Sequence, residues 1–320
     1  MGFESNLSFA FSSLKSRDSL LWALAYFLLH AVVFVGLVVL LLALFTPIYP
    51  ALLGAYQEAV KTGDLSENQV QLLVTQGGEY IAQHPMSLVV FGIAVLFLLL
   101  VAFLVSTWIE LHLISRAMES RAPGGGLKPV SFALVGDSIL GGVVAFLRST
   151  VWPFPGRFRL VVWASWATMI VSLAGLLVAA LNQVGIAVLF FLLWVTAFCV
   201  WCVCLIYAQI RFLFFRIFLL QPGVSYGVAL EKSWVFSKKK FADIFWNWVV
   251  FVLVVIVASF FASTVVFAGT GLLEIAGATD LVLLIDQLYK LMESSLIVLL
   301  SAYFLVGLKF NLESPTPSNA

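Results

Sequence analysis

The sequence predicts an all-α, polytopic membrane helix bundle with six transmembrane helices and interfacial or re-entrant elbow helices. Three observations predict it. Only 10% of the 320 residues are charged and 62% are hydrophobic, whereas soluble domains carry roughly 25% charged residues. A soluble core of this size would need a charged surface that these residues do not supply. Six apolar runs reach the length of about 20 helical residues that a hydrocarbon core demands. Threading the chain through those runs places 15 of the 17 lysines and arginines on one side. The composition excludes an ordinary soluble enzyme, a disordered chain and a nucleic-acid-binding protein. The formal net charge of +1 names no partner.

The runs cover about 20–45, 88–109, 160–181, 184–210, 244–268 and 291–308. Lipid offers the backbone no hydrogen bonds, so each run is expected to be helical. The first is too long for the apolar region of a signal peptide, and Thr46-Pro47 follows it in place of a small-residue cleavage site. Ionisable residues enter only two runs, His30 in the first and Glu293 near the start of the last. A neutral imidazole is tolerable at that depth, and the expected role of His30 is an interhelical hydrogen bond ahead of proton handling.

A seventh stretch, 131–147, carries Asp137 at its middle and three glycines, Gly136, Gly141 and Gly142. If it spanned, Arg211, Arg216 and the lysines of 232–240 would move to the other side. The positive-inside rule therefore makes it an elbow on the cytoplasmic face of the cell membrane, with both termini cytoplasmic. Only Lys61 and Lys290 remain opposite.

The spans pair into three hairpins, each preceded by a similar opening: Ser8-Phe9-Ala10-Phe11, Ser131-Phe132-Ala133-Leu134 and Ser225-Tyr226-Gly227-Val228. A threefold elbow-plus-hairpin repeat is one reading of that pattern. Asn182-Gln183 leaves so short a connection that spans three and four must be antiparallel neighbours. Small residues (Ala164, Thr168, Ser172, Gly175, Ala179) mark an expected contact stripe, as do Ala258, Ser259, Ala262 and Ser263. Ser66-Glu67-Asn68-Gln69 reads as a helix-capping box in the outer segment. Asp286, Lys290 and Glu293 form a polar stripe on a helix expected to begin near Asp280, and the tail 313–320 is expected to be disordered.

Site chemistry is sparse. Cys199, Cys202 and Cys204 have no neighbouring histidine or acid in sequence and are read as small hydrophobes rather than metal or redox ligands. Pro123-Gly124-Gly125-Gly126 lacks the Lys-Ser/Thr of a phosphate loop and is read as a turn. With no hydrolase, metalloprotease or cofactor motif, the expected class is non-enzymatic. The aromatic pattern says more: Trp22, Trp108, Trp152, Trp163, Trp166, Trp201, Trp234, Trp246 and Trp248 all map to the basic half, the headgroup level that tryptophan favours. The densest basic-aromatic stretch supplies the candidate lipid- or partner-binding residues Lys232, Trp234, Lys238, Lys239, Lys240 and Phe241. Cations there attract anionic headgroups by about 1 kcal/mol each, and a protein partner at the same face is a further expectation. On an amphipathic elbow, Tyr226, Ala229, Leu230 and Trp234 are expected to face the membrane. The alternative is a transporter or channel for a lipid-like or uncharged solute, consistent with the scarcity of ionisable groups at the midplane.

The order Arg211-Phe212, an apolar run to Leu220, Pro222-Gly223, Ala229-Leu230-x-x-Ser233-Trp234, a basic patch and Phe241 heading a new span has a counterpart. It resembles the multi-pass membrane domain found fused to glycerophosphodiester phosphodiesterases and in stand-alone membrane proteins of bacteria and archaea. The resemblance covers Gln209–Phe251 and rests on Ala229, Leu230, Ser233 and Trp234, which match an elbow motif ahead of the penultimate hairpin. It implies six helices with elbow segments. A catalytic barrel like that of those fusions is not expected within these 320 residues, so the resemblance implies that any such activity comes from a partner.

Overall fold

A computed structural model describes residues 3–45, 75, 85–150, 157–180, 184–275 and 279–313. These residues are almost entirely helical, without a strand among them: α1 (Phe3–Ser12, continued by a 3-10 turn to Lys15), α2 (Arg17–Phe45), α3 (Pro85–Arg121), α4 (Phe132–Thr150), α5 (Arg157–Ala180), α6 (Val184–Phe212), α7 (Phe215–Leu219), α8 (Tyr226–Lys239), α9 (Phe241–Ile275) and α10 (Thr279–Glu313). The helices α2, α3, α6 with α7, α9 and α10 are long and apolar enough to cross a membrane. The sixth expected span, α5, holds a shorter apolar stretch, Leu160–Leu176. Outward-facing side chains such as Leu96, Phe260 and Val265 are 69%, 68% and 72% exposed. So continuous an apolar surface requires lipid, and the chain is an integral, multi-pass membrane protein.

Several helices overrun the expected spans. The helix α3 continues to Arg121, and α10 starts at Thr279, close to the Asp280 that its polar stripe suggests. The 2.6 Å Lys290–Asp286 ion pair closes one turn of that stripe. The outer segment with its Ser66 capping box, Trp152, the Asn182-Gln183 turn and the tail beyond the helical Glu313 lie outside the described residues.

Three hairpins organise the bundle: α2 with α3, α5 with α6, and α9 with α10. Trp166 and Trp201, 5.8 Å apart, mark the antiparallel α5–α6 pairing. The expected small-residue stripe of α5 is only half right. Its buried residues are Val162, Ser165, Met169 and Ser172, whereas Ala164 and Thr168 are exposed. The face toward α6 is set by the whole hairpin geometry, and side-chain size alone misplaces it. Gly175 does mark a close approach, since a Cβ there would lie 2.4 Å from the Phe190 ring.

The helix α10 is the most buried of the spanning helices and packs on α1, α2, α3 and α9. Burial concentrates at one end, called here the elbow end. The core there joins α1, the last turns of α3, α6 and α10, the start of α9, and α4, α7 and α8. Asn311 binds this end together: its Nδ2 donates to Ser5 Oγ at 2.9 Å and also to Asn6, while Arg121 donates to its Oδ1 at 3.0 Å. Both described chain ends therefore sit at the elbow end. The elbows α4 and α8 begin just after Ser131 and Ser225, but Ser8 lies inside α1, so only two of the three similar openings start a helix.

Candidate functional site

The last turn of an α-helix leaves carbonyl oxygens without intrahelical partners. The helix α6 meets that requirement by folding the chain back on itself. After α7 the chain reverses at Gln221-Pro222-Gly223, where Gly223 adopts φ +74°, a left-handed conformation that glycine takes without steric cost. The elbow α8 then lies across the end of α6. Ser233 Oγ donates to the Arg211 carbonyl at 2.9 Å, and Ser237 Oγ, which donates to the Ser233 carbonyl at 2.8 Å, lies 3.3 Å from the same Arg211 oxygen. The Arg211 side chain is 2% exposed, and its guanidinium carbon lies 4.1 Å from the Trp234 ring centroid and 5.7 Å from that of Tyr207. Phe241 closes the wall, 4.8 Å from Tyr207.

This geometry divides the six predicted residues. Trp234 and Phe241 belong to the aromatic wall around Arg211. Lys232, Lys238 and Lys239 are exposed. Lys240 is half-buried, its Nζ 5.9 Å from the Phe236 ring centroid. Beside the exposed lysines stand Val228 and Val235, and one turn into α9 stands Trp246, 62% exposed.

The expectation that Ala229 and Leu230 face the membrane is overturned: they are 0% and 1% exposed. Small side chains let α8 dock closely on the end of α6, so its amphipathic face is turned to protein rather than lipid. The four residues that carry the family resemblance, Ala229, Leu230, Ser233 and Trp234, all belong to that docking face.

Among the described residues, the hydrogen bond of His30 lies within its own helix. Its Nδ1 pairs with the Tyr26 carbonyl of its own helix at 2.8 Å, and the two rings lie 4.2 Å apart.

Sequence reasoning missed two charged contacts, one of them buried. Lys309 is 3% exposed and donates to Glu313 at 2.9 Å. Glu110 forms an ion pair with Arg216 of α7. Glu110 stands at the end of an apolar run, and nothing local in the sequence reveals a partner 106 residues away. The pair lines a cavity of about 400 Å³ between α3, α4, α6–α7 and α10. Two apolar grooves, about 210 and 530 Å³, flank α10 against α1 with α9 and against α2 with α9. Ala258, Ser259 and Ala262, expected as a helix-contact stripe, line the smaller groove.

No known family model, no curated protein and no solved structure matches this chain.

Proposed function

We propose that this multi-pass membrane protein is a non-enzymatic module that binds anionic lipid headgroups at its elbow end, which faces the cytoplasm. The observation that carries the reading is the two-sided elbow α8. Its inner face is fixed by Ser233, Ser237 and Trp234 on Arg211, and its outer face leaves Lys232, Lys238 and Lys239 exposed beside Val228, Val235 and Trp246. Cations and interfacial side chains on one immobilised surface combine headgroup attraction with anchoring. The apolar grooves beside α10 offer room for acyl chains. The orientation follows from the 15-to-2 division of Lys and Arg.

The test replaces Lys232, Lys238 and Lys239 together by Gln and measures anionic lipid retained after purification. Three cations at about 1 kcal/mol each correspond to roughly 100-fold weaker retention. Retention at the wild-type level would show that these lysines only orient the chain during insertion.

A further inference from the structure

Arg216 and Glu110 face a cavity of about 400 Å³, yet most of their hydrogen-bonding capacity is unused. A guanidinium carries five N–H donors, and the bond from its Nη1 to Glu110 is the one protein hydrogen bond of either side chain among the described residues. Their side chains remain 33% and 25% exposed. That exposure is toward the cavity, so the remaining donors and lone pairs of the pair are open to a group bound there. The rest of the lining is mostly apolar, with Gln209 and Ser301 as further polar groups. Apolar walls with a few convergent polar groups are the usual make-up of a ligand site.

The presence of both signs of charge selects the ligand. A purely anionic or cationic group would meet a like charge beside its partner, whereas a headgroup carrying one of each satisfies both residues. We propose that this cavity binds a zwitterionic headgroup of the phosphoethanolamine kind, its phosphate accepting from Arg216 and its ammonium donating to Glu110. The site is separate from the exposed lysines of α8 and has the opposite preference, for neutral rather than anionic lipid.

Adjacent glycines of α4 frame the cavity. A Cβ on Gly141 would lie 2.6 Å from the Phe215 ring, so Gly141 is a packing position. A Cβ on Gly142 would meet nothing within 4 Å, and Gly142 lines the cavity. Gly142→Leu therefore fills the space with little clash. The double change Glu110→Gln with Arg216→Gln removes both charges, keeps a polar side chain at each position and leaves neither charge stranded.

The experiment is native mass spectrometry of the full chain from nanodiscs holding equal phosphatidylethanolamine and phosphatidylglycerol. The expected result is one phosphatidylethanolamine retained through delipidation, lost at least about tenfold in Gly142→Leu and in the double variant. Gln209→Trp at the exposed rim serves as a third blocking variant should either of those fail to fold. Displacement by millimolar free phosphoethanolamine would support the headgroup chemistry with a soluble source, and resistance to it would support a whole lipid. Equal retention of phosphatidylglycerol, or wild-type retention in folded blocking variants, would overturn the proposal. The Lys232, Lys238 and Lys239 triple variant should keep its phosphatidylethanolamine, so failure here is distinguishable from failure of the elbow reading.

Discussion

The Arg211 guanidinium carbon lies 4.1 Å from the Trp234 ring centroid, while the carbonyl of the same arginine accepts from Ser233 Oγ at 2.9 Å with Ser237 Oγ at 3.3 Å. One residue thus ends α6 twice, through a backbone acceptor capped by hydroxyls and a cation covered by an aromatic face. A desolvated cation–π contact contributes about 2 kcal/mol, and the hydrogen bond from Ser233 adds roughly 1 kcal/mol. That is enough to hold a short amphipathic helix against the bundle.

Trp234→Ala is expected to destabilise the protein by about 3 kcal/mol, because it removes a half-buried ring packed on the core and uncovers the buried Arg211. Trp234→Phe keeps an aromatic face and should cost less than half as much. Denaturation in detergent compares the two. Equal losses would show that the aromatic face over Arg211 does not fix α8.

Two neighbouring glycines should respond with opposite signs. Gly141→Ala places a Cβ 2.6 Å from the Phe215 ring and 3.4 Å from Tyr226 Cβ, an overpacking that costs about 1–3 kcal/mol. Gly142→Ala meets open space and gains up to about 1 kcal/mol of helix propensity. Thermal melts of the two single variants decide. A stabilised Gly141→Ala would contradict the close approach of α4 to α7.

The N-terminal helix is held by the last turns of α10. A Cβ on Gly307 would lie 3.0 Å from the Phe9 ring, and Asn311 bonds Ser5, Asn6 and Arg121. Asn311→Ala, which strands those partners, should cost about 1–3 kcal/mol, and Gly307→Leu should unseat α1. Hydrogen exchange across Phe3–Ser12 is the readout. Faster exchange confined to α1 is expected; unchanged protection would mean that α1 is held elsewhere.

The helices were legible in the sequence because lipid leaves the backbone no alternative, and the elbows because Asp137 and the basic clusters forbid a seventh span. The division of α8 was not. Its 3.6-residue periodicity shows an apolar face without saying whether lipid or protein receives it, and small residues such as Ala229 and Ser233 are the only hint of close docking. His30 was singled out for its depth, yet a carbonyl one turn away meets its need. Glu110 and Arg216 carried the opposite lesson: each reads alone as an interfacial charge, and only the packing of α3 beside α7 makes them a pair.

The central claim is that all the elbows and both chain ends share one cytoplasmic face, and side-specific cysteine labelling tests it most directly. With Cys199, Cys202 and Cys204 replaced by Ala, single cysteines at the exposed Ser12, Ser131, Lys239 and Glu313 should react with an impermeant maleimide only when the cytoplasmic side is open. A cysteine at Met86, at the far end of α3, should react from the other side. Labelling of position 239 from the side opposite position 12 would contradict the shared face, and labelling of all four from outside would contradict its orientation.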